Sequence, residues 1–416
     1  MSKVVVEGGA RLQGTVGVLG AKNAALKEMV SALLAPGRHR LTNVPSILDV
    51  TLMCQVLEHT GCHVEQHGHE LLVVVPDELK PEAPIELVRM MRASIVVLGP
   101  LLARCGEARV ALPGGDDLGA RPIDMHLNGL ESMGADFELV HGELIARVDG
   151  RLKGTEVELP FPSVGATENL LFAGALAEGE TVIVNAAREP EIEDLIAQLV
   201  EMGAQITGGG TSLVTIRGID QLTPTEHRVI PDRLEAGTYA AAGAITQGDV
   251  TVTGCDPDHL RMELTKLEEA GCEVERGSEW MRVRGPERPS PVDFATLPFP
   301  GFHTDMQPQM VALLSVANGT SVITENLYDA RFRYVGELAR MGADITTEAQ
   351  HAIIRGVERL SGCPVLAPDI RAGAALVLAG LRADGVTEVV DSEHIDRGYE
   401  DFAGHLEALG AKIERA

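Results

Sequence analysis

The sequence predicts an α/β (α+β) protein, a two-domain inside-out α/β barrel built from six repeats, three per domain. Three observations carry that expectation. The chain has 416 residues, too many for one ordinary core and suited to two domains of roughly 200 residues each. One phrase recurs six times at intervals of 68 to 73 residues, so a repeat is about 70 residues long. Six further segments are apolar on all sides, the mark of a helix buried all round.

Taken in chain order, every repeat holds the same elements. The recurring phrase reads LEHTGCHVE, LESMGADFE, LVEMGAQIT, LEEAGCEVE, LARMGADIT and LEALGAKIE. Its glycines are Gly61, Gly134, Gly203, Gly271, Gly342 and Gly410. They stand where a helix ends in a left-handed residue and leads into a strand. A second phrase reads LLAPGRHRLTNV, LLARCGEARVAL, ALAEGETVIVNA, AITQGDVTVTGC, SVANGTSVITEN and LRADGVTEVVDS. Here a helix stops near Gly37, Gly106, Gly179, Gly248, Gly319 or Gly385, and an alternating strand follows. Helices ending in the first phrase are rich in charge and must lie partly exposed. Those ending in the second, such as ASIVVLGPLLA and ATENLLFAGALA, are nearly uncharged. Three of these per domain, wrapped by sheets, give the inside-out arrangement.

The functional signal lies at the starts of the buried helices. Lys22, Arg92, Ser163, Arg233, Asp305 and Arg371 precede their repeat's glycine by 14 to 16 residues and are therefore equivalent positions. A helix start presents free N–H groups and about half a positive charge. Six of them facing one cleft, with Lys22, Arg92, Arg233 and Arg371 alongside, predict a site for a small phosphorylated polyanion between the domains. The formal net charge of −26 argues against nucleic acid or an acidic membrane surface as partner. No apolar run approaches the ~20 residues a bilayer span needs, and MSKVVVEGGARLQG reads as strand rather than signal peptide. The six cysteines are scattered without a C-x-x-C pair. That disfavours zinc and a disulfide framework and points to the cytoplasm.

The phrases LGAKNAAL, MRAS, LPGGDDLGARPIDMH, SVGATENL, NAAREPEIEDL, PDRLEAGTY, TDMQPQ, ARFRYV, DIRAGAALVLAG and HIDRGYE run in order along the whole chain. Together they resemble the UDP-N-acetylglucosamine enolpyruvyl transferases (1-carboxyvinyltransferases). The resemblance implies the enolpyruvyl transferase fold, with a domain of residues 22–231 carrying a catalytic loop 112–122. It implies a second domain of residues 1–21 plus 232–416, with the active site in the cleft between them. It implies transfer of the enolpyruvyl group of phosphoenolpyruvate to the 3-hydroxyl of UDP-N-acetylglucosamine, the committed step of peptidoglycan synthesis. The reaction passes through a tetrahedral ketal and needs neither metal nor organic cofactor. A cytoplasmic monomer is expected. Alternatives are a non-catalytic paralogue that senses the nucleotide sugar, or an enolpyruvyl transferase with another acceptor, such as shikimate 3-phosphate.

The same resemblance distributes roles over this chain. Lys22, Arg92, Arg121, Arg371 and Arg397 are the expected phosphoenolpyruvate ligands, the guanidinium forks matching phosphate or carboxylate. Asn23, Arg92, Arg121, Pro122, Asp124, His126, Ser163, Val164, Gly165, Asp305 and Leu327 are expected around UDP-N-acetylglucosamine. Asp305 is the candidate base for the sugar hydroxyl, although an aspartate at a helix start is often only a cap. Asp369 reads like Asp305, as cap or as functional carboxylate, and is placed to hold Arg371 or Lys22; Arg331, Glu189, Glu191 and Glu235 match further positions and serve equally well as structural ion pairs, and His126 reads as ligand or as structural histidine. Two departures stand out. Phe161 occupies the place of a lysine two residues before Ser163, removing one phosphate cation. Asp116 replaces the loop cysteine, with Asp117 beside it as a solvated neighbour. Asp116, Lys22, Asp305 and Arg397 are thus the expected catalytic set, with Asp116 as general acid. Fosfomycin acts by alkylating that cysteine, so insensitivity is expected, a carboxylate being the poorer nucleophile.

Overall fold

A computed structural model describes residues 2–116, 118–119 and 121–416; Asp117 lies outside the described residues. The six apolar segments form the helices Lys22–Ser31, Leu98–Cys105, Val164–Ala175, Arg233–Ile245, Gln307–Leu314 and Ile370–Arg382. Two of them are entered through 3-10 turns, Arg92–Val97 and Thr304–Met306. Every residue of Arg233–Ile245 is buried, whereas charged helices of the other set, such as Leu48–His59 and Arg261–Glu269, bury one face only.

The turn chemistry follows the repeat. All six glycines of the first phrase adopt φ between 92° and 104°, a region closed to most side chains. In the second phrase Gly37, Gly106, Gly179, Gly319 and Gly385 also take positive φ, from 72° to 149°. At Gly248 the left-handed residue is instead Gln247, with φ 55°.

Six four-stranded sheets surround the helices. In each, the strand leaving a buried helix pairs in parallel with a short edge strand and antiparallel with one strand of a hairpin or its equivalent. Alternation such as eBiBiB in Glu70–Val75 turns one face to the core and the other to water. The ladders remain separate sheets, so "barrel" describes the wrapping of helices by sheets and not a closed ring of strands.

The chain divides into two compact units. One comprises Gly20–Gly115 and Pro122–Ile230; the other comprises Met1–Leu19, Asp116–Arg121 and Pro231–Ala416. Each has its own apolar core. In the second unit, Lys3–Glu7 pairs with both Val386–Val390 and the C-terminal strand Lys412–Arg415. Gln13–Gly17 supplies the parallel edge beside Asp249–Thr253. The N-terminal strands thus complete sheets whose other members follow more than 200 residues later. Asp116–Arg121 groups with this second unit although both of its flanks belong to the first.

Candidate active site

All six equivalent positions stand at helix entrances. Lys22 and Arg233 open their helices, Arg92 opens its 3-10 turn, Ser163 is an N-cap, Asp305 lies in a 3-10 entry, and Arg371 is second in its helix.

In the unit of Gly20–Gly115 and Pro122–Ile230, the ammonium of Lys22 meets Asp49 at 2.9 Å. An ammonium beside a helix N-terminus needs an anion, and the buried carboxylate at the start of Leu48–His59 supplies one. Asn23 follows, its carbonyl accepting a bond from Lys27 at 2.9 Å. The guanidinium of Arg92 donates to the Pro122 carbonyl at 3.3 Å. Asp124 begins the helix Asp124–Ser132 and is exposed; His126, two residues on, is buried. Burial and the charge of Arg92 push His126 down to about 4, against an opposing pull from Asp124.

Ser163 caps the helix Val164–Ala175, its hydroxyl accepting from the Ala166 amide at 3.3 Å. Val164 and Gly165 form the first turn and are half-buried. Phe161 is exposed and brings no cation to this turn. Deeper in the same helix, Glu168 pairs with Lys27 at 3.5 Å. Burial raises Glu168 to about 7, with Lys27 opposing and Glu191 and Glu189 reinforcing. Glu189 and Glu191, both buried, open the helix Pro190–Glu201.

In the unit of Met1–Leu19, Asp116–Arg121 and Pro231–Ala416, a buried charge network centres on Asp305. Arg331 donates to Oδ1 at 3.1 Å and Arg371 to Oδ2 at 3.2 Å. Burial alone would raise this carboxyl, but Arg331 and Arg371, helped by His303, hold it well below the usual carboxylate range. The cap of this helix entrance is His303, whose Nδ1 accepts from the Asp305 amide at 3.0 Å. The side chain of Asp305 is thereby left to the arginines. Asp369 is a cap, its Oδ1 accepting from the Arg371 and Ala372 amides at 2.9 Å each. The Arg371 guanidinium lies over Tyr399, 5.1 Å from the ring centroid. Glu235 is buried behind the cap Asp232 and accepts a bond from Tyr239 at 3.2 Å. Burial, with Asp232, raises it to about 8.

The loop residues join this unit through specific contacts. Asp116 pairs with Arg397 at 2.5 Å. Leu118 is buried, and its carbonyl accepts from the Ala330 amide at 3.2 Å. Arg121 stacks on Tyr328 at 5.2 Å. Next to Tyr328, Leu327 donates its amide to the buried Glu325 at 2.9 Å.

The residues sequence reasoning passed over are partners: Asp49, Lys27, Glu168, Glu325, His303 and Asn169. For Lys27, Glu168 and Asn169 the available signal was a polar residue in a helix otherwise apolar all round, as in ATENLLFAGALA; Asp49, Glu325 and His303 lie outside those helices and carry no such signal. The cysteines are all free. Burial pushes Cys54 and Cys272 up to about 12 and Cys255 up to about 11, so none of these three is a ready thiolate.

Comparison with known proteins identifies the family. A family model described as EPSP synthase (3-phosphoshikimate 1-carboxyvinyltransferase) matches residues 6–406. The UDP-N-acetylglucosamine 1-carboxyvinyltransferase of Corynebacterium jeikeium is 54% identical over 411 residues, covering 99% of this chain and 98% of that relative. The protein of the same name in Mycobacterium tuberculosis is 54% identical over 413 residues, 99% of each chain. Among solved structures, the enolpyruvyl transferase NikO of Streptomyces tendae aligns with a TM-score of 0.91 at 25% identity, over 100% of this chain and 99% of that one. EPSP synthase of Acinetobacter baumannii shares the fold, with a TM-score of 0.77 at 19% identity over the full length of both. Fold and full-length identity converge, and the chain belongs to the EPSP synthase family of carboxyvinyltransferases, among the UDP-N-acetylglucosamine 1-carboxyvinyltransferases.

Proposed function

We propose that the protein transfers the enolpyruvyl group of phosphoenolpyruvate to the 3-hydroxyl of UDP-N-acetylglucosamine, releasing phosphate, as a cytoplasmic monomer committed to peptidoglycan synthesis. The observation that carries this reading is the 54% identity over 99% of the chain to relatives of that name. Protonation at C3 of phosphoenolpyruvate makes C2 electrophilic, and the sugar oxygen adds there to give a tetrahedral ketal. Loss of a C3 proton and rupture of the C2–O bond to phosphate restore the double bond.

Asp116 is assigned as the proton donor to C3, with Arg397 beside it binding phosphoenolpyruvate together with Lys22, Arg92, Arg121 and Arg371. The Asp116–Arg397 pair has to open for phosphoenolpyruvate to engage that guanidinium. Asp305 orients the 3-hydroxyl. Held low by two arginines, it stays a carboxylate and accepts the hydroxyl proton only as the new C2–O bond forms. Asn23, Pro122, Asp124, His126, Ser163, Val164, Gly165 and Leu327 complete the nucleotide-sugar contacts, the helix-start amides facing the diphosphate. Glu189, Glu191, Glu235, Arg331 and Asp369 support these groups.

Phosphate release from phosphoenolpyruvate is the test. Release is expected with UDP-N-acetylglucosamine and not with shikimate 3-phosphate; release with neither acceptor would overturn the enzymatic reading.

A further inference from the structure

The first turn of the helix Val164–Ala175 is bordered by a histidine whose protonation pattern is set by a chain of fixed donors. The backbone amide of Gly99 donates to Oδ1 of Asn169 at 2.7 Å. A backbone N–H can only donate, so this bond decides which end of the Asn169 amide is oxygen. The Nδ2 end then donates to the Ile95 carbonyl at 3.3 Å and faces Nδ1 of His126 at 2.8 Å. An amide NH2 has no lone pair to offer, so Nδ1 of His126 must accept, and the ring proton sits on Nε2. Asn169, Gly99 and His126 all belong to one unit and are all buried.

The opposite edge of the ring meets the helix entrance. A Cβ placed on Gly165 would lie 2.9 Å from Cε1 and 3.2 Å from Nε2 of His126, so glycine is required there for the ring to come this close. Gly99 is required for the same reason on the other side, since a Cβ there would lie 2.7 Å from the Asn169 carbonyl. Phe161 offers no donor at this entrance, so an anionic ligand there draws on the helix amides, His126 and the neighbouring charge of Arg92.

We infer that Asn169 is a positioning residue for nucleotide-sugar binding: it fixes His126 with its proton on Nε2, at the entrance of Val164–Ala175, as a neutral donor to an acceptor oxygen of the nucleotide diphosphate. The inference rests on the function proposed above. Burial and the neighbouring charge of Arg92 keep the ring uncharged at neutral pH, against the pull of Asp124. The donor therefore does not switch with pH across the working range.

Ring-nitrogen NMR on protein labelled at its 13 histidines, with the signal assigned by the His126→Leu variant, tests this directly. The unsubstituted protein is expected to show the Nε2–H tautomer of His126 at pH 7, and its Nε2 signal is expected to move on adding UDP-N-acetylglucosamine. Asn169→Asp keeps an acceptor for Gly99 but offers Nδ1 a carboxylate, so the ring proton is expected to move to Nδ1. In steady-state assays this variant is expected to raise the KM for the nucleotide sugar about tenfold, with kcat and the KM for phosphoenolpyruvate within about twofold. In the His126→Leu background, Asn169→Asp is expected to add nothing to that KM. An Nδ1–H tautomer in the unsubstituted protein, an unchanged tautomer in Asn169→Asp, or an equal KM effect in both backgrounds would overturn the positioning role. Absence of nucleotide-dependent turnover in the unsubstituted protein would instead overturn the proposed function, while the tautomer spectrum decides the role of Asn169 by itself.

Discussion

The resemblance puts Asp116 where a loop cysteine is expected, a difference open to test at the scale of one residue. The Asp116 carboxylate pairs with Arg397, whereas Cys255 and Cys272 are buried and Cys54 half-buried, all three thiols with raised pKa values. We therefore expect no time-dependent inactivation by fosfomycin. Asp116→Cys is expected to acquire it while keeping turnover within about tenfold; loss of activity on incubating the unsubstituted protein would refute this. Asp305 carries a second residue-level prediction. Removing one arm of a buried ion network leaves charge uncompensated, so Arg331→Met is expected to cost about 3 kcal/mol in denaturant unfolding, and an unchanged midpoint would contradict that. A third concerns Glu28, fully buried, with neither carboxylate oxygen bonded among the described residues. It lies with Asp194 and His227, their ligand atoms all within 4.8 Å of one another. His227 reaches Glu201 at 2.9 Å and Asp194 at 3.2 Å. Burial disfavours its charge, but those carboxylates raise its pKa overall. Burial, then Asp194, raises Glu28 well above its ordinary value. A carboxyl raised in the folded state contributes stability at low pH that is lost as pH rises through the folded pKa. Glu28→Gln, which stays neutral, is expected to raise Tm at pH 8, with the gain shrinking toward pH 5.5; a gain that grows on acidification would contradict the assignment. None of these pairings was legible in the sequence, because the partners lie far apart along the chain.

At the scale of elements, the repeat spelled out where helices end but not what their first turns do. The left-handed glycines are a local backbone requirement, so six occurrences of one phrase located six turns. Capping depends on which neighbour reaches the free amides. The sequence offered Asp305 as cap or as base; His303 takes the cap and leaves the carboxylate to Arg331 and Arg371. Asp369 goes the other way, accepting two amide bonds. Asp369→Ala is expected to cost about 1–2 kcal/mol of stability. Asp369→Asn, which retains an acceptor oxygen, is expected to stay within about 0.5 kcal/mol and to keep its activity. A large fall in kcat for Asp369→Asn without loss of stability would show that its charge is used by the chemistry.

At the scale of the whole molecule, the N-terminus is the informative segment. Lys3–Glu7 is a central strand between Val386–Val390 and Lys412–Arg415, and Gln13–Gly17 is the edge of another sheet. Deleting residues 1–19 removes one strand from each of two sheets in a single unit. The deletion is expected to abolish the cooperative melting of that unit while the unit of Gly20–Gly115 and Pro122–Ile230 still gives a transition by calorimetry; two intact transitions would contradict the topology. The sequence by itself determined what is local and periodic: six glycine-ended helices, six apolar helices, the equivalence of Lys22, Arg92, Ser163, Arg233, Asp305 and Arg371, and the family to which their motifs belong. Periodicity survives in sequence because each repeat solves the same burial problem with the same spacing. Only the tertiary structure decided which anion answers Lys22, that Asp305 is held between two arginines, that Asp116 meets Arg397, and that Asn169 sets the proton of His126. Those outcomes depend on distances between residues tens to hundreds of positions apart, and charge, burial and hydrogen-bond direction act through space rather than along the chain.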